Sequence, residues 1–168
     1  LLKKIDKKIN KLDSNLYNIM KISLDLVKNN WPKNLPSGII HSDLFIDNII
    51  FNKKKFYGFI DFYFSCNDFY AYELSICINS LCFDKKGRKF LYNKSKGRNL
   101  INGYQSIRRL SIRERNSLNI LCKGSALRYL LTRAYDYLNT PKDALIKIKD
   151  PTEYLQKIIF HLKLYFFS

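Results

Sequence analysis

The chain has 168 residues, of which 46% are hydrophobic and 15% aromatic, and it carries a formal charge of +16. That length fits one domain with a sizeable core, and that apolar content excludes intrinsic disorder. No apolar run is long enough to span a bilayer and none reads as a signal peptide, so the expectation is a cytoplasmic protein without a membrane role.

Leu2, Ile5, Ile9, Leu12, Leu16, Ile19 and Met20 recur at helical spacing among lysines. They predict one long amphipathic helix, or two, ending near Asn30. Trp31 to Gly38 carries Pro32 and Pro36 and reads as a loop. Two short apolar runs, Ile49 to Phe51 and Phe56 to Ile60, flank Lys53-Lys54-Lys55 and predict a β-hairpin. Asp68 to Phe83 predicts a buried helix that Asp68 would cap. Asp84 to Gly87 reads as a turn, and Lys89 to Tyr104 as a weaker helix. Ser111 followed by Glu114 forms a capping box, opening a helix to about Leu138. Pro141 to Pro151 reads as a loop, with Pro151 in the first turn of the last helix. The expected class is α+β, mostly α, with one small hairpin.

The chemistry concentrates around that hairpin. The segment Gly38-Ile-Ile-His41-Ser-Asp43-Leu-Phe-Ile-Asp-Asn48 enters it, and Phe59-Ile-Asp61-Phe leaves it. Pairing the strands brings Asn48 and Asp61 together. Transfer of a phosphoryl group from ATP needs its charge neutralised, chiefly by Mg²⁺. That ion takes hard oxygen ligands and keeps several waters, so two protein oxygens often suffice. The Asn48 amide oxygen and the Asp61 carboxylate can supply them. A further oxygen must orient the attacking hydroxyl and accept its proton, and Asp43 lies on the same loop. His41, at the end of a strand, braces the loop.

His-x-Asp-x-x-x-x-Asn, then a hairpin and an Asp, resembles the catalytic core of protein-kinase-like enzymes. Ser42 stands where protein kinases carry Arg, and Phe62-Tyr63 replaces Phe-Gly after the metal Asp. These departures fit the small-molecule branch, similar to the aminoglycoside phosphotransferase and choline kinase families. Within that branch the chain resembles the homoserine kinases. The resemblance rests on Gly38 to Asn48, on Gly58-Phe-Ile-Asp61 through Asp68, Tyr72 and Asn79, and on Gly103-Tyr-Gln. It continues through Ala126-Leu-Arg128 to Arg133 and Asp136, Asn139-Thr-Pro141, and Lys149-Asp-Pro151-Thr-Glu-Tyr154. Ile46 stands where that family usually has Pro, and Glu73 where it usually has Asp. The resemblance implies the C-terminal lobe of a protein-kinase-like fold, with the hairpin carrying the catalytic and metal loops. It also implies transfer of the ATP γ-phosphate to the homoserine hydroxyl, a step toward threonine. No Gly-rich phosphate loop or strand-borne Val-Ala-x-Lys precedes His41. The expectation is therefore that residues 1–168 are one lobe, that the nucleotide-binding N-terminal lobe lies outside them, and that this piece alone is inactive.

Other features are read beside this one. Asp68 and Glu73 read as support for the loop region. Arg128 or Arg133 could fork to a substrate carboxylate, and ion pairs with Glu73 or Asp136 are the other reading. Tyr63, Tyr72 and Tyr135 line a substrate pocket or fill core. Cys66, Cys77, Cys82 and Cys122 lack Cys-x-x-Cys spacing and read as buried free thiols in a reducing cytoplasm, not metal ligands. His161 reads as structural. Rival readings are a kinase of choline or an aminoglycoside, a basic nucleic-acid-binding module, and a degenerate pseudokinase. The lysines form no long run and accompany no recognition motif, which disfavours nucleic acid. Intact Asp43, Asn48 and Asp61 disfavour the pseudokinase.

Overall fold

The computed structural model describes residues 2–4, 8–9, 14–141, 145 and 148–165, with side chains described as far as residue 163. The chain forms two compact units, one of residues 1–31 and 123–168, the other of residues 32–122. Ile5 and Leu12 of the expected amphipathic helix, and the end of the last helix at Phe166 and Phe167, lie outside the described residues.

The second unit holds three two-stranded antiparallel ribbons. β1 (Ser37–Ile40) pairs with β4 (Cys66–Phe69), setting Ser37 opposite Phe69 and Ile40 opposite Cys66. β2 (Ile49–Asn52) pairs with β3 (Lys55–Phe59), with a register shift between Ile50 and Phe51. Its two-residue turn is Lys53-Lys54, both at positive φ (47° and 69°). That backbone matches the twist of a tight hairpin, although lysine lacks glycine's freedom there. β5 (Phe83–Lys86) and β6 (Lys89–Tyr92) form the third ribbon, turning at Gly87, whose φ is +60°.

Three helices close this unit: α2 (Tyr70–Leu81), α3 (Lys94–Ile107) and the first part of α4 (Ile112–Asn139). Leu74 and Ile78 project from α2 onto Leu110 and Cys122, with Tyr92, Leu100, Ile101, Tyr104 and Leu118 packed around them. Two buried polar side chains on α2 are matched inside this core. Ser75 Oγ bonds the carbonyls of Tyr72 and Leu121, and Asn79 Nδ2 donates to the Cys122 carbonyl. Satisfied in this way, they add specificity to an apolar contact. Gly38 lets β1 lie against α2, because a Cβ there would fall 2.1 Å from the Tyr70 hydroxyl.

The capping box forms as read. Ser111 N–H donates to Glu114 Oε2 at 2.8 Å, and Glu114 N–H donates to Ser111 Oγ at 3.2 Å. The other Glu114 oxygen pairs with Arg108 at 2.9 Å.

Three sequence expectations change here. Asp68 does not cap a helix: Cys66 to Phe69 is strand, α2 starts at Tyr70 behind Phe69, and no side chain caps it. Pairing with β1 wins over helix propensity in those residues. Phe83 to Tyr92 is a hairpin, not a turn and the start of a helix. Its signal was Gly87, with Phe83 and Tyr92 at its open end, their rings 5.4 Å apart. Cys66 is exposed, whereas Cys77, Cys82 and Cys122 are free and buried.

The first unit contains α1 (Ser14–Asn30), α4 from Lys123 onward, and α5 (Thr152–Tyr165). Asp150 Oδ1 accepts the Thr152 N–H at 2.8 Å, so Asp150 caps α5 and Pro151 sits in its first turn. Tyr154 is fully buried, with the Arg133 guanidinium 4.5 Å and Lys157 Nζ 4.4 Å from its ring centre. Glu153 answers both cations, with Arg133 at 2.7 Å and Lys157 at 2.5 Å. His161 is 3% exposed. Burial, reinforced by Lys123 and Lys157, pushes it down to about 3. No helix among the described residues is long and apolar enough to cross a membrane.

The buried, neutral His161 makes this unit acid-sensitive. Its folded pKa lies below the unfolded value of 6.5, so the unfolded chain takes up a proton that the folded chain refuses. The stabilisation is whole above pH 6.5 and is lost progressively as pH falls toward 3. Denaturant unfolding should therefore show about 1.4 kcal/mol less stability at pH 5.5 than at pH 7.5 from this group. His161→Leu should flatten that difference. An unchanged pH dependence in the variant counts against the assignment.

Candidate active site

The site is built on the loop between β1 and β2 and on the exit of β3, all within the second unit. β1 delivers His41 to the loop, and Ser42 then turns the chain sharply at φ 64°. The Ser42 N–H donates to Glu73 Oε2 at 2.8 Å. Glu73 stands in the first turn of α2, where a negative charge also suits the helix dipole. Its reading as loop support is matched by this bond. Asp68 is placed differently: it faces Gly38 in the ribbon, and its carboxylate accepts the neighbouring Phe69 N–H.

His41 joins the two halves of the site. Its Nδ1 accepts the Asp43 N–H at 3.3 Å, so the ring proton belongs on Nε2, which donates to the Ile60 carbonyl at 2.9 Å. The ring also packs on Phe62, with centres 4.7 Å apart. His41 thus links the Asp43 N–H to the Ile60 carbonyl.

The loop then tightens into a 3₁₀ turn, Ile46–Asn48. The Asp43 carbonyl accepts the Phe45 N–H at 3.0 Å and Asn48 Nδ2 at 2.9 Å. Below it, Ser80 Oγ donates to the Leu44 carbonyl at 2.7 Å. Ile46 begins the turn without the rigidity of proline, and the turn closes through Asn48 N–H to Phe45 O at 3.0 Å. Across the hairpin mouth, Ile60 N–H donates to Asn48 O at 3.1 Å. Asp61 therefore follows directly after the residue paired with Asn48, at φ 63° and ψ 59°.

This arrangement leaves two oxygens open to a hard cation. The Asn48 amide nitrogen is held by Asp43 O, which fixes the amide's orientation and turns Oδ1 away from that bond. The Asp61 carboxylate is exposed and takes part in no hydrogen bond or ion pair among the described residues. Those residues contain no group of three or more His, Cys, Asp or Glu that could cage a metal. A pair of oxygens suits Mg²⁺ that keeps its waters and arrives with phosphate.

Residues 4–110 match the model of the phosphotransferase enzyme family (APH). The chain belongs to that family. A homoserine kinase of Rhizobium meliloti (strain 1021) is 54% identical over 138 residues, covering 82% of this chain and 41% of that protein. One from Agrobacterium fabrum is 48% identical over 158 residues, covering 94% and 48%. One from Rhizobium etli (strain CFN 42) is 48% identical over 161 residues, covering 96% and 49%. The chain thus spans somewhat under half the length of the curated relatives it matches.

Tyr63 sits beside Asp61 on the 3₁₀ turn Phe62–Phe64, is 86% exposed, and stacks edge-on against Phe64. Tyr72 is buried core. Arg128 and Arg133 lie on the part of α4 that belongs to the first unit. Arg133 is held by Glu153, the Asp150 carbonyl and the Tyr154 ring, an ion pair whose partner is neither Glu73 nor Asp136. Arg128 lies 4.8 Å from the centre of the Tyr129 ring. Sequence spacing could not separate these roles, because the decisive partner, Glu153, lies twenty residues away.

The two hydrogen bonds of His41 carry a stability prediction. His41→Ala leaves the Ile60 carbonyl and the Asp43 N–H without their partner. Each orphaned group costs about 1–3 kcal/mol, reduced where water can reach it. Urea unfolding should register the loss, and His41→Gln should recover part of it.

Proposed function

We infer that the chain is the C-terminal lobe of an ATP-dependent homoserine kinase. It transfers the γ-phosphate to the side-chain hydroxyl of homoserine, giving O-phosphohomoserine. Asp43 orients that hydroxyl and accepts its proton. Asn48 and Asp61 hold Mg²⁺, which when bound neutralises charge on the phosphates. The observation that carries the reading is the closed set of bonds linking His41, Asp43, Asn48 and Ile60. It fixes the loop backbone while leaving the Asn48 and Asp61 oxygens open. The identity to homoserine kinases over most of the chain supports the choice of acceptor.

The hairpin and the 3₁₀ turn expose Ile50, Phe51, Phe56, Phe59, Ile60, Phe62 and Phe64. Apolar side chains this exposed suit a lobe that another part of the enzyme covers. The same aromatic residues favour a second acceptor class, because a quaternary ammonium such as choline binds against aromatic faces. An amino-acid acceptor instead needs a cation for its carboxylate.

Full-length enzyme separates these possibilities. Wild type should phosphorylate homoserine with ATP and Mg²⁺, and should leave choline untouched. Turnover of choline alone would transfer the reading to the second class. Asp43→Asn keeps shape and removes the base, so kcat should fall about 10² to 10⁴-fold with nucleotide affinity nearly unchanged. Asp61→Asn should weaken Mg²⁺-nucleotide binding as well. Wild-type turnover by Asp43→Asn would reject the mechanism.

Residues 1–168 expressed alone should show no measurable kinase activity. ATP phosphates in this superfamily are held from both lobes. Robust turnover by the isolated piece would reject the division into lobes.

A further inference from the structure

Ser80 stands in the last turn of α2, half-buried, and its hydroxyl turns away from its own helix. A helix serine ordinarily returns its proton to a carbonyl one turn back, as Ser75 does to Tyr72 at 2.6 Å and Ser106 to Gly103 at 2.7 Å. Ser80 Oγ lies 3.4 Å from the Cys77 carbonyl that would play this part, and 2.7 Å from the carbonyl of Leu44. A hydroxyl has a single proton to give, and the shorter separation is the favoured one for O–H···O. The proton therefore goes to the loop that carries Asp43.

The Leu44 carbonyl is one end of the peptide plane between Leu44 and Phe45. The other end is the Phe45 N–H, which donates to the Asp43 carbonyl at 3.0 Å and closes a three-residue turn centred on Leu44. A peptide unit is planar and stiff, so fixing its oxygen fixes the direction of its N–H. The same Asp43 carbonyl takes Asn48 Nδ2 at 2.9 Å. On the other side of Asp43, the Ser42 N–H is held at 2.8 Å by Glu73, two turns before Ser80 and so on the same face of α2. Ser42 and Leu44 are buried, and Asp43 between them is half-buried.

We propose that Ser80 is a positioning residue for Asp43. It acts through the Leu44–Phe45 peptide: the hydroxyl holds the oxygen, and the N–H of the same plane holds the Asp43 carbonyl. With Glu73 it makes α2 a clamp on the backbone before and after Asp43, while His41 holds the Asp43 N–H. The effect on turnover rests on the function proposed above; the clamp itself does not.

Variants of the full-length enzyme test this. Ser80→Ala removes the hydroxyl and improves helix propensity, so α2 stays formed. Its kcat should fall about 5- to 10-fold, the size of one lost hydrogen bond expressed in the transition state. The KM for MgATP should stay within about twofold, because Asp61 is carried from Ile60 and not through Leu44. Hydrogen exchange at the Phe45 amide should speed, while that at Ile76 in the middle of α2 does not change. Ser80→Thr keeps the donor and should recover most of both losses. Ser75→Ala is the control. It also removes a serine that bonds carbonyls from α2, but inside the core, so it should lower stability and leave kcat near wild type. If Ser80→Ala does not fold, Ser80→Cys replaces it, with nearly the same shape and a far weaker donor, and the same losses should follow. Wild-type kcat or wild-type Phe45 exchange in the variant that lacks the hydroxyl, a loss carried by KM instead of kcat, or a Thr variant as slow as Ala overturns the proposal. Failure of wild type to phosphorylate homoserine would fall on the proposed function, with Phe45 exchange still deciding the clamp.

Discussion

The imidazole of His41 receives the Asp43 N–H on one side and gives its own proton to the Ile60 carbonyl on the other. Asp43 belongs to the loop entering the hairpin and Ile60 directly follows the strand leaving it, so one rigid ring sets the distance between them. The ring does this only as the Nε2–H tautomer. Both bonds are local backbone contacts in a partly buried setting, where a satisfied hydrogen bond gains and an unsatisfied one is costly. The hairpin alone would not provide this. Its strands are short and mostly exposed, and two-stranded ribbons are marginal without support. His41 from below and the Asn48–Ile60 bond at the mouth make the ribbon a fixed platform.

Much of this was legible in the sequence because the signals were local. His41, Asp43 and Asn48 lie within eight residues, and the hairpin after them has two short apolar runs and a basic turn. The capping box at Ser111 and Glu114 and the proline at 151 are likewise set by neighbours in sequence. What was missed depended on distant partners. Asp68 and Phe69 read as the start of a helix until β1 claims their backbone groups. Phe83 to Tyr92 hides a ribbon because its lysines dilute the alternation. Arg133 carries no local sign that Glu153 will hold it. The role of Glu73 was visible only as a charge facing the loop. Its bond to Ser42 needs the packing of α2 beside β1, which Gly38 permits.

The backbone supplies an independent argument for where function lies. Ser42 and Asp61 both adopt left-handed conformations, at φ 64° and 63°, without being glycine. Such residues cost of order 1 kcal/mol or more and persist where the surroundings over-determine them. One precedes Asp43 and the other is itself the candidate metal acid. Lys53 and Lys54 share the conformation, but a tight two-residue hairpin turn demands it of any residues there. Neither Ser42 nor Asp61 lies in a hairpin turn. At Ser42 the compensating contact is Glu73. At Asp61 it is the bonded frame of Ile60, held by His41 and Asn48. Glycine would relieve strain at either position. It would also widen the conformations open to the chain and loosen the placement of Asp43 and Asp61. The strain is therefore better understood as the consequence of fixing two acids on opposite sides of one hairpin mouth, with the buried contacts behind them sized to hold it.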